Sequence, residues 1–572
     1  MKRLLRIDMG TRHYTVEDIA GPYKNLGGRG LSSTIIHNEV PPMADPLGPE
    51  NKLIFAAGIL AGSKVPNSGR LSVGAKSPLT NGIKEANAGG TASQKLARLG
   101  YQAVIVEGCA AEPCTVKIDK GGVTFSPAAG LKRLGNYEVV DRLKRNNTAI
   151  ICIGPAGELK LRAAAVAVTS WDFHIRVAGR GGLGAVMGSK NLKAVVIDDT
   201  DCGGQNEQDD RTMRAAVKEL SKHISSNPVS QAFRQMGTPF LVMLTNTIGC
   251  LPTRNYSVGQ FGGAEKISGE HMHAQMKKRP NSQSVHRCMN GCVISCSNVY
   301  TDKNGEVIVS GLEYETLGLV GANCMIDDLD AVARINRACN DVGVDTMDVG
   351  AAIAVSMEAG LLPWGDGAKA LSLIEEIAKG TENGVMIGNG CRAAGEKLGV
   401  KRIPHVKGQS LAAYDPRVLK GTGVTYATST MGADHTCGNA LGGPSMPEYN
   451  PSAPDGQGPL SQFLQTFFAA IDTLGLCLMA SVPLVESPEM LGRLVTCVSS
   501  LTGEALPEDY LIRLGTAVLK TERLFNEAAG LGKKDDRLPQ FFLEEPLPPS
   551  GTVFDVPEGE IDGVYEAIKG GV

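Results

Sequence analysis

The stretch RVAGRGGLGAVMGSKNLKAV, residues 176–195, decides how this chain is read. Gly179, Gly181 and Gly184 satisfy G-x-G-x-x-G, and Asp198 and Asp199 follow about twenty residues on, the spacing of a dinucleotide fingerprint. Taken that way, the fold would be a doubly wound parallel sheet and the protein a nicotinamide-dependent dehydrogenase carrying NAD(P). Such a loop must leave a buried strand directly, however. Here Ser170-Trp171-Asp172-Phe173-His174 and Arg176 stand between the apolar run and the glycines. The alternative is backbone that closely approaches a flat or phosphorylated ligand, with basic side chains adding charge-assisted hydrogen bonds.

Two further loops share this character. LGGRGLSS spans 26–33, and NSGRLSVGAKSPLT spans 67–80 and runs on to ANAGG at 86–90. Together the three imply an anionic cofactor, although any one glycine alone could serve a tight turn. Between them, Lys52–Ala57, Gln102–Glu107, Ala149–Ile153 and Lys193–Ile197 are short apolar runs bounded by Gly, Pro and Asn, which predicts strands. From Arg211 onward the period changes. Met213–Ile224, Leu329–Val342, Met347–Ala359, Ala368–Gly380 and Gly390–Leu398 place apolar residues at i, i+3, i+4 and i+7, the helical pattern. The fold class is therefore α+β, with a β-rich domain over 1–205 and mainly helical domains over 206–405 and 406–572. The first boundary falls in Asp201–Asp210 and the second near 405, and Pro546–Pro549 leads into a short tail.

At 572 residues the chain exceeds the ~250–300 that one core can serve. Its formal charge of −3 leaves no basic excess for a nucleic-acid backbone, which excludes that partner class. No run approaches the ~18–20 apolar residues of a membrane span, and no signal-peptide pattern occurs, so the expected location is cytoplasmic. In that compartment the 14 cysteines read as metal ligands and small core residues rather than as disulfides.

Cys288, Cys292 and Cys296 lie in HRCMNGCVISCSN, and three thiolates so close suit a soft metal, above all an iron–sulfur cluster. On a continuous helix Cys288 and Cys296 would sit roughly 12 Å apart, too far for one compact cluster, so the chain should bend at Asn290-Gly291. A buried helix face and a zinc site are the competing readings. Cys477, in IDTLGLCLMA, is the chosen fourth ligand because its surroundings differ from the plain helical contexts of Cys339 and Cys497.

These motifs resemble the aldehyde ferredoxin oxidoreductase family, tungsten- or molybdenum-dependent enzymes with two pyranopterin dithiolenes and one 4Fe-4S cluster. The likeness continues through GLEYETLG at 311–318, CNDVGVDTMDVG at 339–350, AAYDPRVLKGTGVTYATS at 412–429, IDTLGLC at 471–477 and KKDDRLPQFFLEEPLP at 533–548. It implies a β-rich saddle under the cofactor, covered by two helical domains. NDVGVD at 340–345 and DTLGLC at 472–477 look like two copies of the family's D-x-x-G-L-D/C pterin-binding element. By motif match, Arg70, Asn87, Gly89, Arg176, Val177 and Gly179 would hold the pterin phosphates and a bridging magnesium. Asn340, Val344, Asp345, Asp472 and Leu478 would contact the pterin rings, and Cys477 would complete the cluster.

The same match makes Glu313 and His435 the catalytic carboxylate and imidazole, with Glu315 the competitor for the first role and Asp434 a partner that could set the His435 tautomer. The implied reaction takes an aldehyde and water to a carboxylic acid, or the reverse, with electrons leaving singly to ferredoxin or a ferredoxin-like subunit. The string GADHTCG departs from the family's usual surroundings of that histidine. This keeps open an active-site subunit similar to that of benzoyl-coenzyme A reductase, acting on an aryl thioester. Outside the family, the alternatives are the NAD(P) enzyme above and a non-catalytic iron–sulfur subunit. The first cysteines are spaced C-x3-C where the family usually has C-x2-C. The family's E-x-x-H dimer motif does not occur in the corresponding region, which leaves homodimer and hetero-oligomer open. Nothing in the chain selects tungsten over molybdenum.

Overall fold

The computed structural model describes residues 2–202, 211–442 and 448–570. Its first part is two six-stranded sheets. One contains β1 (Arg3–Asp8), β2 (His13–Asp18), β3 (Leu53–Ala57), β4 (Leu71–Lys76), β5 (Ile83–Ala88) and β6 (Tyr101–Glu107). The other contains β7 (Cys114–Asp119), β8 (Gly122–Pro127), β9 (Thr148–Cys152), β10 (Val166–Thr169), β11 (Ile175–Ala178) and β12 (Leu192–Asp198). The strands follow the period-2 rule. Leu5, Ile7, Phe55, Val104 and Val106 of the first sheet share a core with Val116, Ile118, Ile151, Val168 and Val195 of the second. The alternate residues Leu4, Ile54, Ala103 and Ile105 face the other way, against Leu31, Ile35 and Ile36 of helix Gly28–Glu39.

The two sheets repeat one topology. The orders β2-β1-β6-β3-β4-β5 and β8-β7-β12-β9-β10-β11 correspond strand for strand. In each, only the pairing of the first and last strands in sequence is parallel. Helices Gly28–Glu39 and Asn136–Leu143 occupy equivalent places, as do Ala92–Arg98 and Leu183–Ser189. This removes the dinucleotide reading of 176–195. The strand that delivers Gly179 is an antiparallel edge strand, and the Asp199 carboxylate is closed off by Lys95 at 2.5 Å and Arg98 at 2.9 Å.

Helices then dominate. Arg211–Ser226, Leu329–Val342, Thr346–Glu358, Gly367–Lys379 and Gly390–Leu398 fall on the predicted stretches. Farther on come Gln457–Leu474, Leu478–Val485, Pro488–Thr502, Tyr510–Ala528 and Glu558–Gly570. One apolar core runs from Val332 and Ile353 through to Ile471, Leu474 and Leu519. Most of the predicted first boundary, 203–210, lies outside the described residues. Among the described residues no helix is long and apolar enough to cross a membrane.

The two echoed motifs take one shape. Helix Leu329–Val342 ends at Gly343 (φ 78°), and helix Gln457–Leu474 ends at Gly475 (φ 72°). In each case the next N–H reaches back five residues, from Val344 to the Cys339 carbonyl at 3.0 Å and from Leu476 to the Ile471 carbonyl at 3.2 Å, closing a Schellman turn. Asp345 and Cys477 then stand as N-caps of the following helices. Each corner docks at the equivalent place on its own sheet, the first on the second sheet and the second on the first. The Gly343 carbonyl accepts from Ala165 N–H (2.9 Å) and Asp345 N–H donates to the Ala163 carbonyl (3.0 Å). Likewise the Gly475 carbonyl accepts from Arg70 N–H (3.1 Å) and Cys477 N–H donates to the Asn67 carbonyl (2.8 Å). Ala165 and Arg70 immediately precede β10 and β4.

Candidate active site

Cys288, Cys292 and Cys296 sit on an irregular loop between strands Gln283–His286 and Ser297–Thr301. The chain turns at the predicted Asn290-Gly291, where Gly291 has φ 74°. Asn67 ties this loop to the second corner. Its N–H donates to the Gly291 carbonyl (3.1 Å), its carbonyl accepts from Cys477, and its Nδ2 donates to Cys292 Sγ (3.3 Å). Cys477 thereby faces the other three cysteines. Burial, then the neighbouring Cys477 and Cys292, push the Cys288 thiol up to about 12; burial and Cys477 raise Cys292 and Cys296 as well. Such thiols ionise only with a cation among them. Among the described residues no three of these sulfurs lie within 4.8 Å of one another. A single tetrahedral zinc, with Zn–S of ~2.3 Å, would hold its sulfurs about 3.8 Å apart. The set therefore fits a multi-metal cluster better than one ion. Gly89 makes room beside it, since a Cβ there would meet Cys288 Sγ at 3.0 Å.

A polar cradle borders this group. Arg70 Nε donates to Asn87 Oδ1 (2.6 Å), and Asn87 Nδ2 donates to Asp472 Oδ1 (3.2 Å). The other Asp472 oxygen lies 3.4 Å from Arg29 Nη1, whose remaining nitrogens bind Glu522. Burial raises Asp472 to about 6 against the pull of Arg29 and Arg70. Glu85, also buried, is raised to about 8 by desolvation and by Asp472. At the first corner, Arg180 Nε lies 3.4 Å from Asp345 Oδ2, and Asp345 accepts from the N–H groups of Met347 and Asp348. Gly179 approaches the same carboxylate, with a Cβ position 3.3 Å from Asp345 Oδ1. Val344 bridges Ala164. Asn340 donates to the Tyr137 hydroxyl at 3.5 Å, Val177 sits in β11, and Leu478 opens the helix after Cys477. Arg176 binds Ser297, His286 and Ser310, while its Nε is buried without a protein partner. Glu85 Oε1, Thr91 Oγ1, Ser93 Oγ and Gln94 Oε1 are likewise buried and unpartnered among the described residues. Orphaned polar atoms of this kind ask for a ligand.

The carboxylate that meets His435 is Glu315, not Glu313. Glu315 Oε1 lies 3.2 Å from His435 Nε2, and its Oε2 accepts from Ala413 N–H at 2.8 Å. Glu313 precedes the short helical turn Tyr314–Thr316 and is turned to Thr238 (2.7 Å), Ser297 (3.3 Å) and the cysteine loop. Burial raises both carboxyls, Glu315 against the pull of His435. The Tyr414 ring packs on His435 at 5.5 Å, and His435 Nδ1 is buried without a partner among the described residues. Asp434 accepts from Lys84 (2.7 Å) and Thr436 (2.9 Å). Burial works the other way, yet Lys84 and Arg180 hold its carboxyl far below the usual range.

Sequence reasoning missed Asn67, Arg29, Lys84 and Glu85. Arg29 stood in a quoted glycine loop, which was a usable signal. Asn67 opened another, but its particular role depends on a φ of 59° that presents both its backbone groups and its side chain to the cysteine loop.

Comparison with known proteins bears on the whole chain. Residues 4–199 match the family model described as aldehyde ferredoxin oxidoreductase, N-terminal domain, and residues 215–568 match aldehyde ferredoxin oxidoreductase, domains 2 & 3. A tungsten-containing aldehyde ferredoxin oxidoreductase of Pyrococcus furiosus is 34% identical, covering 96% of this chain and 92% of that protein. The WOR-like subunit of an aliphatic sulfonate oxidoreductase from the same organism is 26% identical over 93% of this chain and 86% of its own. The active-site complex BamBC of benzoyl coenzyme A reductase, solved with 1,5-dienoyl-CoA, superposes with a TM-score of 0.80 at 19% identity, covering 99% and 94%. That last likeness speaks for the fold.

Proposed function

This chain belongs to the aldehyde ferredoxin oxidoreductase family, and from that premise we propose that it is a tungsten–pterin enzyme oxidising aldehydes to carboxylic acids. The meeting of four thiols, Cys292 and Cys477 buried and Cys288 and Cys296 half-buried, with a cradle of orphaned polar groups at one helix corner is what supports the reading. Cys288, Cys292, Cys296 and Cys477 would hold a 4Fe-4S cluster. Arg70, Asn87, Gly89 and Asp472 would hold one pterin; Val177, Gly179, Asn340, Val344 and Asp345 would hold the other. Arg176 and the phosphate-bridging magnesium belong to the same proposal, as do Leu478 beside the cluster and the domain division at about 205 and 405. When bound, the tungsten–pterin group supplies a two-electron acceptor and the cluster a one-electron outlet.

The side chains supply proton handling and orientation. Glu315 takes a proton from a water or an aldehyde-hydrate hydroxyl; desolvation makes its carboxylate a stronger base than an exposed glutamate. His435 is steadied by Tyr414 and Glu315 and presents Nδ1 to the substrate oxygen. Asp434, tied to Lys84, stays ionised beside the imidazole. Electrons then pass to a ferredoxin or a ferredoxin-like subunit.

The test is metal analysis of protein purified without oxygen, followed by viologen-linked turnover on a panel of aldehydes and an aryl-CoA thioester. The expected outcome is about four irons and one tungsten per chain, with aldehyde turnover. Iron without a heavier metal would make this an electron-transfer subunit, turnover only on the thioester would replace the substrate class, and absence of both metals would sink the reading.

A further inference from the structure

Arg176 reaches out of the second sheet into the small sheet that carries the cysteine loop. That sheet consists of strands Gln283–His286, Ser297–Thr301 and Val307–Ser310. All three acceptors of the guanidinium stand at strand ends there. Ser297 Oγ accepts from Nη1 at 2.9 Å, Ser310 Oγ from Nη2 at 2.9 Å, and His286 Nδ1 faces Nη2 at 3.0 Å. Gly311 leaves the room, since a Cβ there would stand 2.5 Å from Nη1. Among the described residues no carboxylate bonds this buried cation directly, and its Nε has no partner.

Each acceptor has its own hydrogen committed elsewhere, which turns a lone pair toward the guanidinium. Ser297 donates to Glu313 Oε1 (3.3 Å), and Ser310 donates to the Asn298 carbonyl (2.9 Å). For His286 this fixes the tautomer. A guanidinium only donates, so Nδ1 accepts and the ring proton sits on Nε2. That N–H meets Asp172 Oδ2 at 2.7 Å, and Asp172 Oδ1 accepts from Ser170 Oγ at 2.6 Å. Burial works the other way, yet His286 and Ser170 hold the Asp172 carboxyl well below the ordinary carboxylate range. The Trp171 indole lies over the imidazole, with centroids 6.2 Å apart and planes 18° from parallel.

Asp172, His174 and His286 also bring ligand atoms within 4.8 Å of one another, close enough for a metal ion. A cation on His286 Nε2 would move the ring proton to Nδ1, against the Arg176 donors. It would also set a second positive charge beside a buried guanidinium that has no carboxylate of its own. The hydrogen-bonded arrangement fits these atoms and a metal site does not.

We propose that Asp172 and His286 are positioning residues for Arg176. Segment 170–176 grips the imidazole at both nitrogens, and the fixed imidazole holds the guanidinium with Nε–H left to bond an anionic oxygen of the cofactor's phosphate. The proposal rests on the preceding reading that Arg176 holds a pterin phosphate.

The experiment follows anaerobic holoenzyme at a fixed, sub-denaturing urea concentration. It reads pterin release by fluorescence, together with iron per chain and far-UV circular dichroism. Arg176→Met sets the scale. Asp172→Ala and His286→Leu should each speed release about tenfold or more, the usual effect of losing an outer-shell partner, with iron per chain unchanged. His286→Asn puts an acceptor back near the Nδ1 position and should return most of the way to the unaltered rate. In the Arg176→Met background Asp172→Ala should add nothing, because residues that act through one another are not additive. Release that ignores Asp172→Ala and His286→Leu would overturn the proposal, as would fully additive effects. Iron lost in step with pterin, in both Asp172→Ala and His286→Asn, would assign the pair to holding the cysteine loop and overturn it too. So would a zinc ion in the unaltered protein that Asp172→Ala removes. Release unmoved by Arg176→Met would instead refute the assignment of Arg176, and no pterin in the unaltered protein would refute the enzyme reading.

Discussion

Glu313 and Glu315 are two residues apart, yet they serve different neighbourhoods. Glu315 faces His435, and Glu313 faces Thr238, Ser297 and the cysteine loop. Glu315→Gln should lower kcat by about 10²–10⁴, the usual worth of a positioned general base, with iron and tungsten contents unchanged. Glu313→Gln should keep kcat within about tenfold on the same scale, because its oxygens do not reach the imidazole. The pH profile offers a second check. Burial raises Glu315 above the ordinary 4.5, so its carboxylate is lost as pH falls through that raised value. Aldehyde oxidation should therefore decline on the acid side with a midpoint above 4.5, and Glu315→Gln should remove that limb. The histidine was legible from its motif. The choice between the glutamates was not, since an extended residue and the first turn after it can point either way until Thr238 and Ala413 are in place.

At the scale of elements, the helix-glycine-helix corner is the working unit. Gly58 touches the second corner so closely that a Cβ would stand 2.3 Å from the Leu474 carbonyl, and Gly154 repeats this at 2.4 Å from Val342. Gly58→Ala should push the corner off the sheet and draw Cys477 away from Cys292. Iron per chain should fall while far-UV circular dichroism keeps its helical signal. Gly475→Ala should do the same, adding the cost of φ 72° for a residue with a Cβ, about 1–2 kcal/mol. The helices themselves were plain in the i, i+3, i+4 pattern, and the bend at Asn290-Gly291 followed from the spacing of the cysteines. The duplicated six-strand sheet was not plain, because the two copies share alternation and turn positions rather than residues, as Arg70 opposite Ala165 shows.

Across the whole molecule, the β-rich part is fastened to the last long helix by a buried pair. Glu522 accepts from Arg29 at 2.8 and 2.9 Å, from Ser33 at 2.8 Å and from Thr430 at 2.6 Å, and both charged side chains are almost wholly enclosed. Burial would raise Glu522, but Arg29 outweighs it and holds the carboxyl below its ordinary 4.5. Its contribution to stability is thus present above pH 4.5 and lost as pH falls through the depressed value. Glu522→Gln leaves the guanidinium only the 3.4 Å contact with Asp472 as a charged partner and should cost about 3–5 kcal/mol, read as a lower denaturation midpoint. The double change Arg29→Met, Glu522→Leu should recover much of it. By itself the sequence determined the α+β class, the helical stretches, the cysteine loop and the need for an anionic cofactor, because each is written in local spacing and residue type. Tertiary structure alone decided that the two sheets are copies, that Asn67 and Cys477 meet the cysteine loop, and that Glu315 faces His435. Each of these depends on residues hundreds of positions apart being brought together by packing, and no local pattern encodes which of them will meet.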